Sequence, residues 1–335
     1  MSYQVHIAGS DVSFGCDPGV FILDAALKAG IQIPYACRKG ACGNCAVRIE
    51  SGQVQRFVTH PETSAAGDDL LCQCRPQSDL IIRPADWRQG QPNETKRLQV
   101  KVYRNTAVAP DVSMLHLRLP AGQRAKFKAG QYLDVLLPDG HRRSYSMANP
   151  PHESDVLQIH VRHVEGGRFS QMASGLTAGD MLEVEFPFGQ VTISNDPNDP
   201  LLCVCGGTGF APIKSLLDDM AKQKSARPVT LIWGSRDLAG LYLLPQIDKW
   251  KKSLPNFQFV AAIEMAVEPQ DFEVFQGRVD QAITSKASSL APKEVYCCGS
   301  SAMVTAVKKI CLDTLQVEAS QFHADEFVMN PLQCK

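Results

Sequence analysis

Four cysteines place the strongest limit on what this chain can fold into. Cys37 is followed after four residues by Cys42, after two more by Cys45, and after a long gap by Cys72. Thiols that meet at one inorganic centre need a tight loop for the first three and a separate returning segment for the fourth. Gly40, Ala41 and Gly43 keep that loop wall thin, so backbone amides can reach the sulfurs and tune the centre they hold. The chain has 12 cysteines, six of them before residue 75. Its N-terminus, MSYQVHIAGSDVSF, lacks a basic stretch followed by an apolar core. A secretory leader is therefore not expected, and a cytoplasmic, reducing location is. There, clustered cysteines point to metal or redox chemistry before disulfides.

The spacing is that of the plant-type two-iron loop. It predicts a [2Fe–2S] cluster held by Cys37, Cys42, Cys45 and Cys72. Cys74 lies two residues further on and would share a strand face with Cys72, so geometry leaves both open; LLC resembles the ferredoxin pattern at this point, which favours Cys72. Zinc is the competing reading, but zinc sites usually pair cysteines two to four residues apart. A triple with spacers of four and then two departs from that. Cys16 has no partner in the pattern and reads as a small buried apolar residue.

At ~100–200 residues per domain, 335 residues predict two or three domains. The first segment runs to about residue 83, with a strand over 3–7 and a helix over 20–29 set between Asp17-Pro18 and Gly30. The strand AVRIESG and the short last strand SDLIIRP follow the cysteine loop. Residues 84–97 carry two prolines, one glycine and no apolar period, and read as a linker. From about 98 to 194, six strand-like runs from LQVKVYR to MLEVEF are spaced by turn residues, with one helix near 170–175. That spacing predicts an antiparallel barrel. From about 200 onward, LLCVC, VTLIW, FQFVAAI and VYCCG alternate with helices over 212–222, 245–252 and 302–315. Such alternation means βαβ units on a parallel sheet. Lys plus Arg is 34 and Asp plus Glu is 35, a balance that argues against nucleic acid as a partner. No apolar run approaches the ~20 residues that span a bilayer, so no membrane association is expected.

Two further sites stand out. Arg143-Ser144-Tyr145-Ser146 follows the Asp139-Gly140 turn. Alternation puts Arg143 and Tyr145 on one face, where a guanidinium can fork onto a pyrophosphate and a phenol can lie on a flat ring. A flavin dinucleotide suits that pair; a surface cation beside a core ring is the plainer reading. His160 and Arg162, two apart on a later strand, reach the same ligand or form a solvated face. Gly166, Gly167, Arg168, Phe169 and Ser170 lead into a helix whose first amides can bind phosphate. Gly206, Gly207, Thr208 and Gly209 follow an apolar strand and open a helix, a place for a dinucleotide pyrophosphate. Their spacing is not GxGxxG, so a mere tight turn competes. Cys298-Gly299, ending VYCCG, would face the same crevice at the carboxyl ends of the strands, or belong to the core.

Taken in order, CRKGACGNCAV, LLCQC, RSYSMANPP, GGRFS, FPFG, CGGTGFAPIKS, WGSRD, CCGS and FHADEF resemble the reductase components of bacterial multicomponent aromatic oxygenases. In these a plant-type ferredoxin is fused to a ferredoxin-NADP reductase-like module. The resemblance implies a multidomain fold: an α+β ferredoxin (β-grasp) domain over 1–90, an antiparallel β-barrel FAD domain over 96–196, and an α/β parallel-sheet NAD(P)H domain over 198–335. It implies that Arg143, Ser144, Tyr145 and Ser146 bind FAD, with Arg143 on the pyrophosphate, Tyr145 stacked on the ring and Ser146 near N5. Ser170 and its glycine neighbours would bind phosphate, and Gly207, Thr208 and Gly209 the nicotinamide dinucleotide. Ser146, Cys298 and Asp325 would stand at the hydride path, with Phe327 flanking the flavin. The chain runs eight residues past Phe327, a departure from the plant enzymes.

The three cofactors belong together, because a nicotinamide gives two electrons as hydride and a two-iron cluster takes one at a time. A flavin converts between them. The expected path runs from NADPH or NADH through FAD and the [2Fe–2S] cluster to the oxygenase component of a Rieske-type ring-hydroxylating dioxygenase. A di-iron monooxygenase or a deoxysugar dehydrase is the alternative acceptor, and a redox sensor the remote one. The linker over 84–97 would let the ferredoxin domain pivot. Ser235-Arg236 favours NADPH, whose 2′-phosphate needs a cation, while Asp237 opposes it. Glu50, Glu62, Asp68 and Asp69 offer an acidic docking face, or are simply solvated.

Overall fold

Alternation builds the first sheet. In β1 (Tyr3–Ile7) Val5 and Ile7 turn inward, and in β8 (Leu80–Pro84) Leu80, Ile82 and Pro84 do the same. The computed structural model describes residues 2–40, 42–58, 67–90, 95–190, 193–194 and 196–327. Ala41, Glu62 and the eight residues after Phe327 lie outside them. The chain divides into Met1–Glu94 with Gly189–Val191, and Thr95–Phe188 with Thr192–Lys335.

In the first unit β1 pairs in parallel with β8 and antiparallel with β2 (Ser13–Cys16). On the other side β8 pairs with β4 (Ala46–Ser51), which pairs with β6 (Asp69–Leu70). Between β2 and β4 come α1 (Ile22–Lys28) and β3 (Ile31–Gln32), and β5 (Val54–Arg56) pairs with β7 (Cys74–Pro76). α1 buries Ile22, Leu23, Ala25 and Ala26 in a core with Val5, Ile7, Phe14 and Val47. The helix is shorter than 20–29, because Val20 N bonds to Asp17 O in a separate turn. The linker is shorter too. Trp87 packs on the core, and β9 (Arg88–Gln89) pairs with β3.

The second unit opens with a six-stranded antiparallel sheet. Its strands are β10 (Lys96–Ala109), β11 (Val112–Arg118), β12 (Tyr132–Leu136), β13 (Arg142–Ser146), β14 (Val156–Arg162) and β15 (Met181–Phe188). They run in the order β13-β12-β15-β10-β11-β14. A bridge between Met147 and Ile159 joins the two ends, so the sheet curls into a barrel. α2 (Arg168–Gly175) presses Phe169 and Ala173 into its core.

The last sheet is wholly parallel, in the order β19-β18-β17-β16-β20-β21. The strands are β16 (Leu201–Gly206), β17 (Val229–Ser235), β18 (Phe257–Ile263), β19 (Glu273–Gln276), β20 (Glu294–Ser300) and β21 (Phe322–Phe327). The helices between them are α3 (Phe210–Lys222), α4 (Leu244–Ser253), α5 (Val279–Ser285) and α6 (Ser301–Asp313). β16 and β20 are buried almost throughout, as strands covered on both faces must be. Chain order reverses between β16 and β20, so a crevice opens at their carboxyl ends.

β19 and α5 had no counterpart in the sequence reading. Val279, Ala282 and Ile283 are buried at helical spacing, but seven residues are too few for the period to stand out. Among the described residues, no helix is long and apolar enough to cross a membrane.

Candidate functional site

The cysteine loop follows β3 and is shaped by residues of positive φ, Arg38 at 54°, Gly40 at 76° and Gly43 at 76°. A Cβ on Gly40 would lie 2.6 Å from Val58 Cγ2 and 2.9 Å from Gln73 Cγ, so only glycine fits there. The amides of Lys39 and Cys42 each approach Cys37 Sγ at 3.4 Å. Gln73 Nε2 donates to Arg38 O at 3.0 Å and ties the loop to the returning segment. The four thiols are buried and come as two pairs: Cys42 hydrogen-bonds Cys37, and Cys45 hydrogen-bonds Cys72. Those bonds and then burial push Cys42 and Cys45 up, while the bond from Cys45 draws Cys72 down. Among the described residues no three of His, Cys, Asp and Glu converge as on a single ion. Two irons need two thiolates each, so two pairs fit a [2Fe–2S] centre.

Cys74 turns elsewhere. Its Sγ lies 4.0 Å from Asp69 Oδ1, and burial, then the Asp69 charge, pushes its thiol up to about 12. Asp69 is itself buried, forked by Arg56 with Nη2 at 2.8 Å from Oδ2. Glu50 pairs with Arg83. The expected acidic face therefore loses two of its members to ion pairs. Cys16 is buried, its Sγ 3.6 Å from Val20 O, and burial pushes it up to about 11.

On β13 the alternation splits the four residues. Ser144 Oγ donates to Asp134 Oδ1 at 2.7 Å, on the side where Arg142 pairs with Glu185 at 2.7 Å. Arg143 and Tyr145 take the other side. The Tyr145 ring packs against Phe169 at 5.3 Å, and burial raises its phenol. Arg143 has no carboxylate partner among the described residues, so this face offers a cation and a ring beside the first amides of α2. These groups fit a flavin dinucleotide. Arg168 is ion-paired with Asp139 of the preceding turn. Ser170 Oγ bonds the Val164 and Gly167 carbonyls at 3.3 Å, which fixes Gly167 against the helix and leaves backbone amides, not the hydroxyl, facing outward.

At the sheet's crevice three adjacent strands put Cys205, Cys298 and Asp325 in register. Ser146 Oγ, from the barrel, donates to Asp325 Oδ2 at 3.3 Å. Burial, then the neighbouring Asp325 carboxylate, raises the Cys298 thiol far above its usual range, so it is neutral at pH 7. A Cβ on Gly209 would collide with the Cys298 carbonyl, which explains a glycine there. Gly207 has φ 54°, and Gly206 and Gly299 both lie against Met303 Sδ. Thr208 is half-buried in this turn, and Phe327 is exposed at the end of β21.

A cleft of about 620 Å³ runs outward from the turn, past Gly206, Gly207, Ser235, Arg236, Glu264 and Arg278. Arg236 has no carboxylate partner among the described residues. Asp237 accepts from Gly240 N at 3.0 Å, and Arg278 forks onto Asp280. The cleft's wall also includes Arg162 and Asp111 from the barrel, 2.8 Å apart. The structure thus brings Arg162 to the cleft, and His160 to Tyr242 of the sheet domain at 3.0 Å. Sequence reasoning missed Asp111, Trp233, Tyr242 and Met303. Trp233 opens the WGSRD stretch but carried no role there, the other three sit in no motif, and only the fold brings them to the crevice.

Comparison with known proteins agrees with this layout. Residues 5–77 match a 2Fe-2S iron-sulfur cluster binding domain, 99–193 an oxidoreductase FAD-binding domain, and 203–309 an oxidoreductase NAD-binding domain. The chain is 50% identical to reductase component 1 of terephthalate 1,2-dioxygenase from a Comamonas species, over 99% of both chains. It is 33% identical to a CDP-6-deoxy-L-threo-D-glycero-4-hexulose-3-dehydrase reductase from Yersinia pseudotuberculosis, over 98% of this chain and 99% of the other. Among solved structures, an Amycolatopsis cytochrome P450 reductase has a TM-score of 0.77 at 30% identity, covering 97% of this chain and 98% of that one.

Proposed function

This chain belongs to the family of FAD- and [2Fe–2S]-containing, NAD(P)H-dependent reductase components, and we propose that its acceptor is the Rieske-type oxygenase of a terephthalate 1,2-dioxygenase. The enzyme is an electron-transfer oxidoreductase that serves an oxygenase. The whole-chain match at 50% identity to a terephthalate dioxygenase reductase component carries the acceptor reading. The weaker match to a deoxysugar dehydrase reductase supports a second acceptor class. We assign the work to three modules, 1–90, 96–196 and 198–335, in the cytoplasm.

FAD, when bound, supplies the change from a hydride pair to single electrons. The protein supplies placement. Cys37, Cys42, Cys45 and Cys72 hold the cluster, and the two thiol pairs are what supports that set. Arg143 takes the FAD pyrophosphate, with the α2 amides near Gly167, Arg168, Phe169 and Ser170, and Tyr145 lies along the ring. Gly206, Gly207, Thr208, Gly209 and Gly299 let the nucleotide backbone approach, with Arg162 as a cation from the barrel side. Ser146, Asp325 and Cys298 line the hydride path; the buried Asp325 carboxylate orients the Ser146 hydroxyl, and the neutral Cys298 thiol packs without adding charge. Phe327 borders the flavin. Ser235 and Arg236 favour NADPH.

Anaerobic titration with NADPH and then NADH, followed by absorbance and EPR, tests the path. Flavin bleaching with a reduced two-iron signal is expected. No bleaching with either nucleotide overturns it. Terephthalate turnover with a purified oxygenase, against none with a dehydrase, tests the acceptor.

A further inference from the structure

A closed ring of contacts ties the glycine turn of the nucleotide cleft to the barrel. Trp233 Nε1 donates to the Gly207 carbonyl at 3.3 Å. The Trp233 ring meets the Tyr242 ring edge-on, with centroids 5.4 Å apart and planes at 87°. Tyr242 Oη lies 3.0 Å from His160 Nδ1, across the seam between sheet domain and barrel. His160 and Arg162 stand two apart on β14. The Arg162 guanidinium then returns to Gly207, 3.2 Å from where a Cβ would be.

Other bonds already hold α3 to the barrel. Ser215 Oγ donates to Asn149 O at 2.7 Å, and Lys214 Nζ to Ala148 O at 3.1 Å. The Tyr242–His160 bond is therefore not needed to join the two domains. Nor is His160 well suited to stability. It is 3% exposed, yet its Nε2 has no hydrogen-bond partner among the described residues. A seam shaped for stability alone would pair that atom or replace the ring with an apolar side chain.

We propose that Tyr242 and His160 are a positioning pair. Their hydrogen bond fixes the distance from the dinucleotide-binding turn to the barrel, and so sets how the nicotinamide approaches the flavin. The proposal rests on the nucleotide reading of the cleft. Burial keeps His160 neutral, pushing it down to about 3, with Lys214 and then His116 adding to the effect. The bond is therefore unchanged across the neutral range.

The test uses the FAD-loaded enzyme. Tyr242→Phe removes one hydroxyl and keeps the ring. Stopped-flow flavin reduction at saturating NADPH is expected to slow about tenfold, ~1.4 kcal/mol. The dissociation constant for NADP+ should stay within about twofold, and the melting temperature within ~2 °C. His160→Leu should slow reduction to a similar degree and melt no lower than the parent, since it removes the unpaired Nε2. His160→Asn, which restores an acceptor near the Nδ1 position, should recover most of the rate. A Tyr242→Phe rate within about twofold of the parent overturns the proposal, as does a loss confined to melting temperature or nucleotide affinity. If the parent enzyme binds neither NADP+ nor NAD+, the reading of the cleft fails first; if it binds NAD+ alone, the same rates are read with NADH.

Discussion

At the amino end of the parallel sheet, Arg227 and Glu294 are almost wholly buried and fully engaged. Arg227 Nη2 meets Glu294 Oε2 at 2.8 Å, Nη1 donates to Ser194 O at 2.6 Å, and Nε reaches Asp199 O. Glu294 also accepts from Ser194 N and pairs with His323 at 2.8 Å. At the carboxyl end the same strands finish in glycines, a raised thiol and an arginine without a carboxylate. His160 Nε2 lies buried without a partner among the described residues, at the seam with the barrel. One end pairs its buried charges and so clamps the connection from barrel to sheet. The other leaves polar groups open.

Removing a charge should therefore cost stability at one end and turnover at the other. The largest effect is expected from Arg227→Ala, which strands a buried carboxylate and should cost ~3–5 kcal/mol, read as a fall in the thermal midpoint of the sheet domain. If that midpoint holds, the clamp is not what it looks like. Asp325→Asn should do the reverse: flavin reduction slows by about 10–100-fold, ~1.4–2.8 kcal/mol, with little change in melting.

Acid should separate the histidines of the barrel face from the clamp. Burial pushes His116 down to about 4 and His160 to about 3, below the ordinary value of 6.5. Each thus leaves stability unaffected above ~6.5 and lowers it as pH falls from there toward the folded value, by at most ~1.4 kcal/mol per pH unit per histidine. Burial alone would raise Glu294, but the bonds from His323 and Arg227 outweigh it, and the net shift is downward. Its contribution holds above ~4.3 and fades only at lower pH. Melting between pH 7 and 5 should accordingly fall less in His160→Leu than in the parent, and equally in both if the histidine is solvated. The smallest effect is Arg236→Ala: the Michaelis constant for NADPH should rise about tenfold, ~1.4 kcal/mol, and that for NADH much less. Equal rises would remove Arg236 from nucleotide choice.

What the sequence revealed follows how local each signal is. Three of the four cluster cysteines sit in one loop, so their spacing carried the chemistry. Geometry alone left Cys72 and Cys74 both open, because it assumed a strand, and the choice of Cys72 rested on the LLC context. Leu71–Gln73 is a tight helical turn, so the two thiols point apart. The barrel and the parallel sheet were readable from alternation and from buried runs. The seam was not. His160, two residues from Arg162 on one strand, reads as a flavin contact or a solvated residue, while its partner Tyr242 lies in a different domain. Asp69 likewise reads as a surface acid until the fold brings Arg56 over it.

The register of the sheet has a consequence for how such chains can vary. Cys298 and Asp325 are neighbours only because β20 and β21 align residue for residue. A one-residue slip of β21 would carry the carboxylate ~3.3 Å along the strand and turn it to the opposite face. Insertions and deletions inside β21 should therefore be excluded from functional descendants. Changes of length in the connection after α6 should be tolerated wherever they leave that alignment intact.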